Sequence, residues 1–278
     1  MTERPSRSVF IAAISSDIGG ALAEMYLAEG YAVAGTYRDA SGLKALRGRP
    51  GVQLIGCDIS KPADITNLAA ELDRTGFRWD LFVSAVGQLS PIGPFFSSDR
   101  DAWMESVSLN GPAQLALLHA IAPLRRAAPL AQVAFLVGGA INRSFPNYSA
   151  YSLGKLQLVK FCELIHDEAP DMHAIAAGTG WVATKIHRQT LEAAALAGEN
   201  LERTRDFLTR EETGTSMADI KAVLDWCFAQ PREVTGGRNF SVVHDPWRHG
   251  GEGLARALAG DVDGFKLRRH GNAALGVA

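Results

Sequence analysis

Tyr151 and Lys155 stand four residues apart in the segment Tyr-Ser-Leu-Gly-Lys. The stretch around them, residues 149–168, reads as a helix, and four residues is about one helical turn. The phenol and the ammonium therefore share one face. A phenol titrates near ~10 and is a poor acid–base group at neutral pH, whereas a nearby cation favours its phenolate. Such a pair can pass a proton to or from a carbinol oxygen. A second candidate lies near the N-terminus, in Val-Phe-Ile-Ala-Ala-Ile-Ser-Ser-Asp-Ile-Gly-Gly, residues 9–20. A glycine-rich turn between a strand and a helix lets the backbone approach a dinucleotide's pyrophosphate and offers it free helix N–H groups. Gly19 and Gly20 are present, but Ala13 and Asp17 stand where further glycines are expected. A plain helix start capped by Asp17 accounts for the same residues. A third candidate is Arg38, about twenty residues beyond the turn, where an acid binds the adenosine 2′-hydroxyl and an Arg accommodates a 2′-phosphate. Tyr37-Arg38 supplies the Arg and lacks the acid, which favours NADP over NAD.

The elements that must position these residues follow from periodicity. Apolar runs at 9–14, 31–37, 52–57, 81–86, 133–137, 173–177 and 238–244 read as buried strands. Helical patterns lie between them at 18–28, 63–74, 99–126 and 149–168, with Ser60 as a cap and Pro62 in the first turn of the second. Strands alternating with helices imply an α/β fold: a single doubly wound parallel sheet, Rossmann-like, with helices on both faces. Residues 185–216 break the rhythm with a charged helical stretch, read as a lid inserted over the ligand crevice. With few apolar groups to pin it, this lid is expected to be mobile when the crevice is empty. Residues 246–278 form a C-terminal extension whose Lys266, Arg268 and Arg269 read as a solvated tail or a strap on a neighbouring subunit. The whole chain, 1–278, reads as one dinucleotide-binding catalytic domain.

Taken together these motifs resemble the short-chain dehydrogenase/reductase family, over roughly residues 8–245. Ser-Ala-Tyr-Ser-Leu-Gly-Lys looks like its YxxxK helix, and Ser15, Ser16, Ile18 and Gly19 fall in its glycine turn. Cys-Asp-Ile-Ser places Asp58 and Ile59 where the family contacts adenine, and Ser-Ala-Val-Gly places Ala85 and Gly87 at its NNAG strand end. Gly-Trp-Val-Ala-Thr resembles the PGxVxT turn, with Val182 in it and Thr184 at the nicotinamide carboxamide. The resemblance implies Tyr151 as proton donor, Lys155 as the group that binds the nicotinamide ribose and tunes Tyr151, and Asn110 as the holder of a relay water. Bottom-up, Asn110 is also compatible with a helix-kink residue, because Pro112 removes a backbone donor there. The sequence departs from the family in three further ways: Ser84 replaces an Asn, Thr179 replaces a Pro, and Gly138 stands where the catalytic Ser is expected. Ser144, Asn142 or a backbone N–H of the Gly138 turn are the substitutes in reach, and His187 is a further candidate to face substrate.

Composition sets the outer limits. The chain has 278 residues, 47% of them hydrophobic and 21% charged, with a net charge of −2. That balance gives no footprint for nucleic acid or an anionic membrane. Three distant cysteines, Cys57, Cys162 and Cys227, argue for core packing in a reducing compartment, and no metal-ligand spacing appears among the histidines. The N-terminus lacks the pattern of a secretory signal, so a cytoplasmic protein is expected. Helices 99–126 and 149–168 are apolar on nearly every face, which predicts a homodimer or homotetramer. The expected activity is NADP(H)-dependent oxidoreduction of a small-molecule carbonyl or secondary alcohol. Two alternatives remain: a non-catalytic NADP(H)-binding sensor or scaffold that has lost the Ser at 138, and, as the resemblance to the family's extended members implies, an epimerase or dehydratase that uses the bound nucleotide to work on a sugar.

Overall fold

The computed structural model describes residues 7–128, 130–138, 141–210 and 214–269. Seven parallel strands form one sheet in the order β3-β2-β1-β4-β5-β6-β7. They are β1 (Ser8–Ala12), β2 (Ala32–Tyr37), β3 (Val52–Gly56), β4 (Leu81–Ser84), β5 (Ala131–Val137), β6 (Met172–Gly178) and β7 (Asn239–Ser241). Alternation along buried strands sends neighbouring residues into two separate cores. Phe10, Phe82 and Phe135 pack ring to ring on one face, whereas Val9, Ile11, Val83 and Ile175 fill the other. The strand order reverses between β1 and β4, where Ala12 pairs with Ser84. A crevice outside the carboxyl ends of the strands opens at this switch point, and ligands of doubly wound sheets bind there.

Helices α1 (Asp17–Ala28) and α2 (Pro62–Arg74) follow the first and third strands. Ser16, not Asp17, caps α1, its hydroxyl accepting from the Gly19 N–H at 3.0 Å. Nor does Ser60 cap α2: Lys61 holds the cap position, and the Ser60 hydroxyl donates to Asp58 at 2.7 Å. The expected helix 99–126 is two, α3 (Arg100–Asn110) and α4 (Pro112–Ile121), divided at Gly111 because Pro112 cannot continue the hydrogen-bond ladder. Next comes α5 (Ser149–Glu168), matching the expected bounds. Gly154 lets α3 and α5 approach closely, since a Cβ there would lie 2.5 Å from that of Asn110.

The inserted segment holds α6 (His187–Glu192) and α7 (Glu199–Thr209). The expectation that few apolar groups pin it is corrected by a third core, in which Leu89, Ile92, Tyr148 and Ala197 are buried against Ile186, Ala193 and Leu201. Helix α8 (Met217–Ala229) was not expected and lays Ile220, Val223 and Leu224 on the second core. After the short α9 (Arg232–Thr235), the C-terminal extension forms α10 (Gly251–Ala259). Buried Trp247, Leu254 and Leu258 hold it to the body, and Arg268 pairs with Glu163 of α5 at 2.7 Å. Its described part is therefore packed on its own chain and is not a solvated tail; residues 270–278 lie outside the described residues.

Candidate active site

A cleft of about 690 Å³ runs across the carboxyl ends of the strands. Of the residues singled out from sequence, Ser15, Ser16, Ile18, Arg38, Asp58, Ile59, Ala85, Gly87, Gly138, Tyr151, Lys155, Val182, Thr184 and His187 all line it. Gly19 and Asn110 do not line the cleft and sit directly behind it. Ser144 does not line it; it lies exposed at a neighbouring pocket beside Gly198, which shares Asn200 and Arg203 with the cleft.

The turn at the head of α1 is tight for a stated reason. Ala13 adopts φ +60° and is held there by the Thr36 hydroxyl, which accepts its N–H at 3.0 Å. A non-glycine residue in this region costs about 1–2 kcal/mol, so the fold spends stability to keep the turn. Gly19 has no room for a side chain, because a Cβ would collide with the Ala13 carbonyl. Asp17 takes the Lys185 N–H at 2.7 Å and so ties this turn to the start of the inserted segment. At the far end of the cleft the two acids flanking Arg38 are already engaged. Asp39 accepts from Ser41, and Asp58 accepts from the N–H and hydroxyl of Ser60.

Lys155 is only 2% exposed and donates to the carbonyls of Val86 and Leu136 at 2.6 and 2.7 Å. The Val86 carbonyl lies two residues beyond β4 and the Leu136 carbonyl one residue before the end of β5, so the backbone at the carboxyl ends of two strands aims the ammonium. Burial pushes Lys155 down to about 7 and Tyr151 up to about 12. A phenol so raised keeps its proton at neutral pH and is fit to donate it. Gly138 lies directly beside it: a Cβ there would sit 2.6 Å from the Tyr151 hydroxyl.

Asn110 is fully buried and its carboxamide is consumed. It accepts from the Gln88 N–H at 3.0 Å and donates to the carbonyls of Gln88 and Ser106 at 2.8 and 2.9 Å. The next two residues of that loop are held from the other side. The Gln189 side-chain oxygen accepts from the N–H groups of Leu89 and Ser90 at 2.8 and 3.0 Å. Loop 88–90 thus joins α3 to the inserted segment, and neither glutamine was singled out from sequence. Ser84, in place of the family Asn, donates to Gln114 at 2.6 Å in the core behind the cleft. His187 stacks on Trp181 with ring centroids 5.3 Å apart, and its Nε2 meets the Val182 carbonyl at 2.9 Å. Among the described residues no group of three or more His, Cys, Asp or Glu is arranged to hold a metal, and no helix is long and apolar enough to cross a membrane.

Comparison with known proteins agrees with this layout. Residues 12–219 match a family model described as enoyl-(acyl carrier protein) reductase. The short chain dehydrogenase pigC of Monascus ruber is 24% identical over 250 residues, covering 86% of this chain and 79% of that protein. A short-chain dehydrogenase/reductase of Saccharomyces cerevisiae superposes with a TM-score of 0.77 at 20% identity, over 94% of this chain and 100% of its own. A Shigella flexneri short chain dehydrogenase solved with NADP gives 0.70 at 18% identity, over 86% and 97%. The chain belongs to the short-chain dehydrogenase/reductase family, whose members are oxidoreductases that use a nicotinamide cofactor.

Proposed function

We propose that the chain is an NADP(H)-dependent carbonyl reductase or secondary-alcohol dehydrogenase, with Tyr151 as its acid–base group. The observation that carries this reading is the Tyr151 hydroxyl, which borders the cleft and makes no protein hydrogen bond among the described residues, one helical turn from the buried Lys155. When bound, the dinucleotide supplies the hydride that, with one proton, converts a ketone into a secondary alcohol. The residues present fit that group: Ser15, Ser16 and Ile18 bring the N-terminal turn of α1 to the cleft, where it would hold a pyrophosphate, and Thr184 and Lys155 line the same cleft as Tyr151. Tyr151 gives its proton to the carbonyl oxygen, and Lys155 holds positive charge beneath the site. Because the Asn110 carboxamide is bonded to Gln88 and Ser106, we place any relay water on the backbone of the α3–α4 break, where Pro112 has no N–H to give. Asn110 then acts by positioning loop 88–90. The test is a panel of carbonyl compounds followed by NADPH absorbance. The second reading, a non-catalytic NADP(H) binder, draws on Gly138, which brings no hydroxyl to the substrate oxygen. NADPH binding without turnover of any carbonyl would establish it.

Three expectations attach to this reading. NADPH binds more tightly than NADH, because Arg38 faces the cleft while Asp39 and Asp58 are held by serines. A charge-assisted pair contributes about 1.5–3 kcal/mol, or about tenfold to a hundredfold. Calorimetric titration of both nucleotides checks this, and Arg38→Ala should erase the difference.

Reduction requires the phenol protonated and Lys155 charged. Tyr151 keeps its proton to about 12, whereas Lys155 loses its own near 7. The rate is therefore level below about pH 7 and declines by up to about tenfold per unit above it. A rate profile flat to pH 9 would remove the Lys155 charge from the mechanism.

Finally, Phe95, Phe96, Met104 and Leu153 are exposed on or beside α3 and α5, Phe96 at 97%. Burying that patch against a second copy gives a homo-oligomer. Light scattering should report at least a dimer, and Met104→Glu with Leu153→Glu should give monomers.

A further inference from the structure

We propose that the substrate carries a carboxylate remote from its carbonyl, held by Arg143, Arg203 and Thr204; this deepens the reductase reading and rests on it. A helix packed on a protein body ordinarily buries an apolar stripe. Helix α7 does not: its two buried positions, one turn apart, are Asn200 and Thr204, and both border the cleft. Asn200 donates to the Pro146 carbonyl at 3.2 Å and so fixes α7 against the loop that precedes α5. Thr204 is 2% exposed and has no side-chain hydrogen bond among the described residues, whereas Thr209 on the same helix returns its hydroxyl to the Arg205 carbonyl. Buried polar groups are nearly always paired, so a hydroxyl left over at a cleft wall is suited to a ligand.

Two guanidinium groups line the same end. Arg203 comes from α7 and Arg143 from the loop that Asn200 holds; Ser144, the chain neighbour of Arg143, shares a pocket with Arg203. This is the half of the cleft beside the acid–base group, because Leu201 of α7 shares the third core with Phe145 and Tyr151. Arg203 reaches Glu199 at 3.3 Å, but that carboxylate is 88% exposed and water screens the pair. On α6, Arg188 and Glu192 also border the cleft. Lys185 turns instead to the Ser15 carbonyl of the cofactor turn. Three guanidinium groups against two carboxylates leave one positive charge at this end. A carboxylate matches that charge and the planar fork of an arginine, whereas a phosphate monoester brings about two negative charges.

The experiment uses the full chain, NADPH and a homologous series of methyl ketones ending in a carboxylate, each compared with the primary amide of the same length. The best acid should exceed its amide about tenfold in kcat/KM, the worth of two solvent-exposed charge pairs at about two- to fivefold each. Arg143→Gln and Arg203→Gln should each remove about two- to fivefold of that ratio, through KM. Arg205→Gln should leave it unchanged, since Arg205 is on α7 but does not border the cleft. Thr204→Val should raise KM for the acid without lowering the melting temperature, because the hydroxyl it removes pairs with nothing in the fold. Acids and amides reduced equally, a ratio untouched by both arginine variants, or a phosphate ester ketone preferred to the acids would each overturn the inference. Loss of NADPH affinity in either variant would do the same by giving these charges to the cofactor. If no ketone is reduced, calorimetric titration of the acids with NADPH present separates the two readings. Binding that weakens in Arg203→Gln supports the carboxylate subsite while the reductase reading fails, and absence of binding by every acid ends the inference.

Discussion

Tyr151→Phe should reduce carbonyl turnover by about 10²–10⁴-fold while NADPH binds with unchanged affinity. The upper part of that range is expected. In this cleft Gly138 contributes no hydroxyl, Ser144 lies at the neighbouring pocket, and the Asn110 carboxamide is bonded to Gln88 and Ser106, so of the substitutes named from sequence Asn142 is the side chain that shares the cleft with Tyr151. The change deletes one oxygen and leaves the ring packed beside Leu89, Ile92 and Tyr148. Because that oxygen has no protein partner among the described residues, removing it orphans no donor or acceptor, and the variant should melt at or slightly above the temperature of the starting protein. Turnover and calorimetric affinity measured on the same preparation check both halves. Turnover surviving at more than a tenth would move the proton to another group. A pH effect gives an independent sign: if Tyr151 is the donor, burial at about 12 keeps it loaded throughout the neutral range, and loss of rate above pH 7 belongs to Lys155.

The parts of this site that were legible in the sequence are those fixed by short spacings. Tyr151 and Lys155 lie one turn apart on a long helix that is apolar on nearly every face, and α5 took its expected bounds. Strands of five to seven buried residues were equally plain, because continuous apolar runs bounded by turn residues mark them within a local window. Helix α8 carried a legible cap, Ser216 accepting from the Asp219 N–H, but lay next to a charged stretch that masked where the insertion ended. The pinning of the inserted segment was not legible at all. Asp17 reaches Lys185 across 168 residues, and Leu89 reaches Gln189 across 100. No periodicity encodes such contacts; they exist only once the sheet has brought the ends of β1, β4 and β6 together. The same holds for Asn110. The family resemblance implies a water holder there; the contacts with Gln88 and Ser106, which also brace the loop beside the cleft, are not encoded in any local pattern.

Gly138→Ser restores the residue expected from the family, yet it should slow the reaction. Two effects oppose each other there. A hydroxyl correctly aimed at the substrate oxygen is worth about 10²–10³ in rate. Against it stands the Cβ that any side chain brings, 2.6 Å from the Tyr151 hydroxyl and 3.5 Å from its Cε1 and Cζ. A real Cβ needs more than 3 Å, so the phenol must swing away by a sizeable fraction of an ångström. Misplacing a reacting group by about 1 Å costs on the order of 10²-fold. The nominal magnitudes overlap, and geometry decides between them. The gain needs Tyr151 where it is, with the new hydroxyl and the phenol converging on one oxygen, whereas the clash displaces the phenol first. Gly138→Ala isolates the clash and should lose about 10²-fold. Gly138→Ser should recover part of that loss but remain slower than the starting protein, with NADPH affinity intact in both. A Gly138→Ser enzyme faster than its parent would show that Tyr151 has slack and that the site lacks a donor. Both variants at parental rate would place the reacting oxygen elsewhere in the cleft and end the assignment of Tyr151.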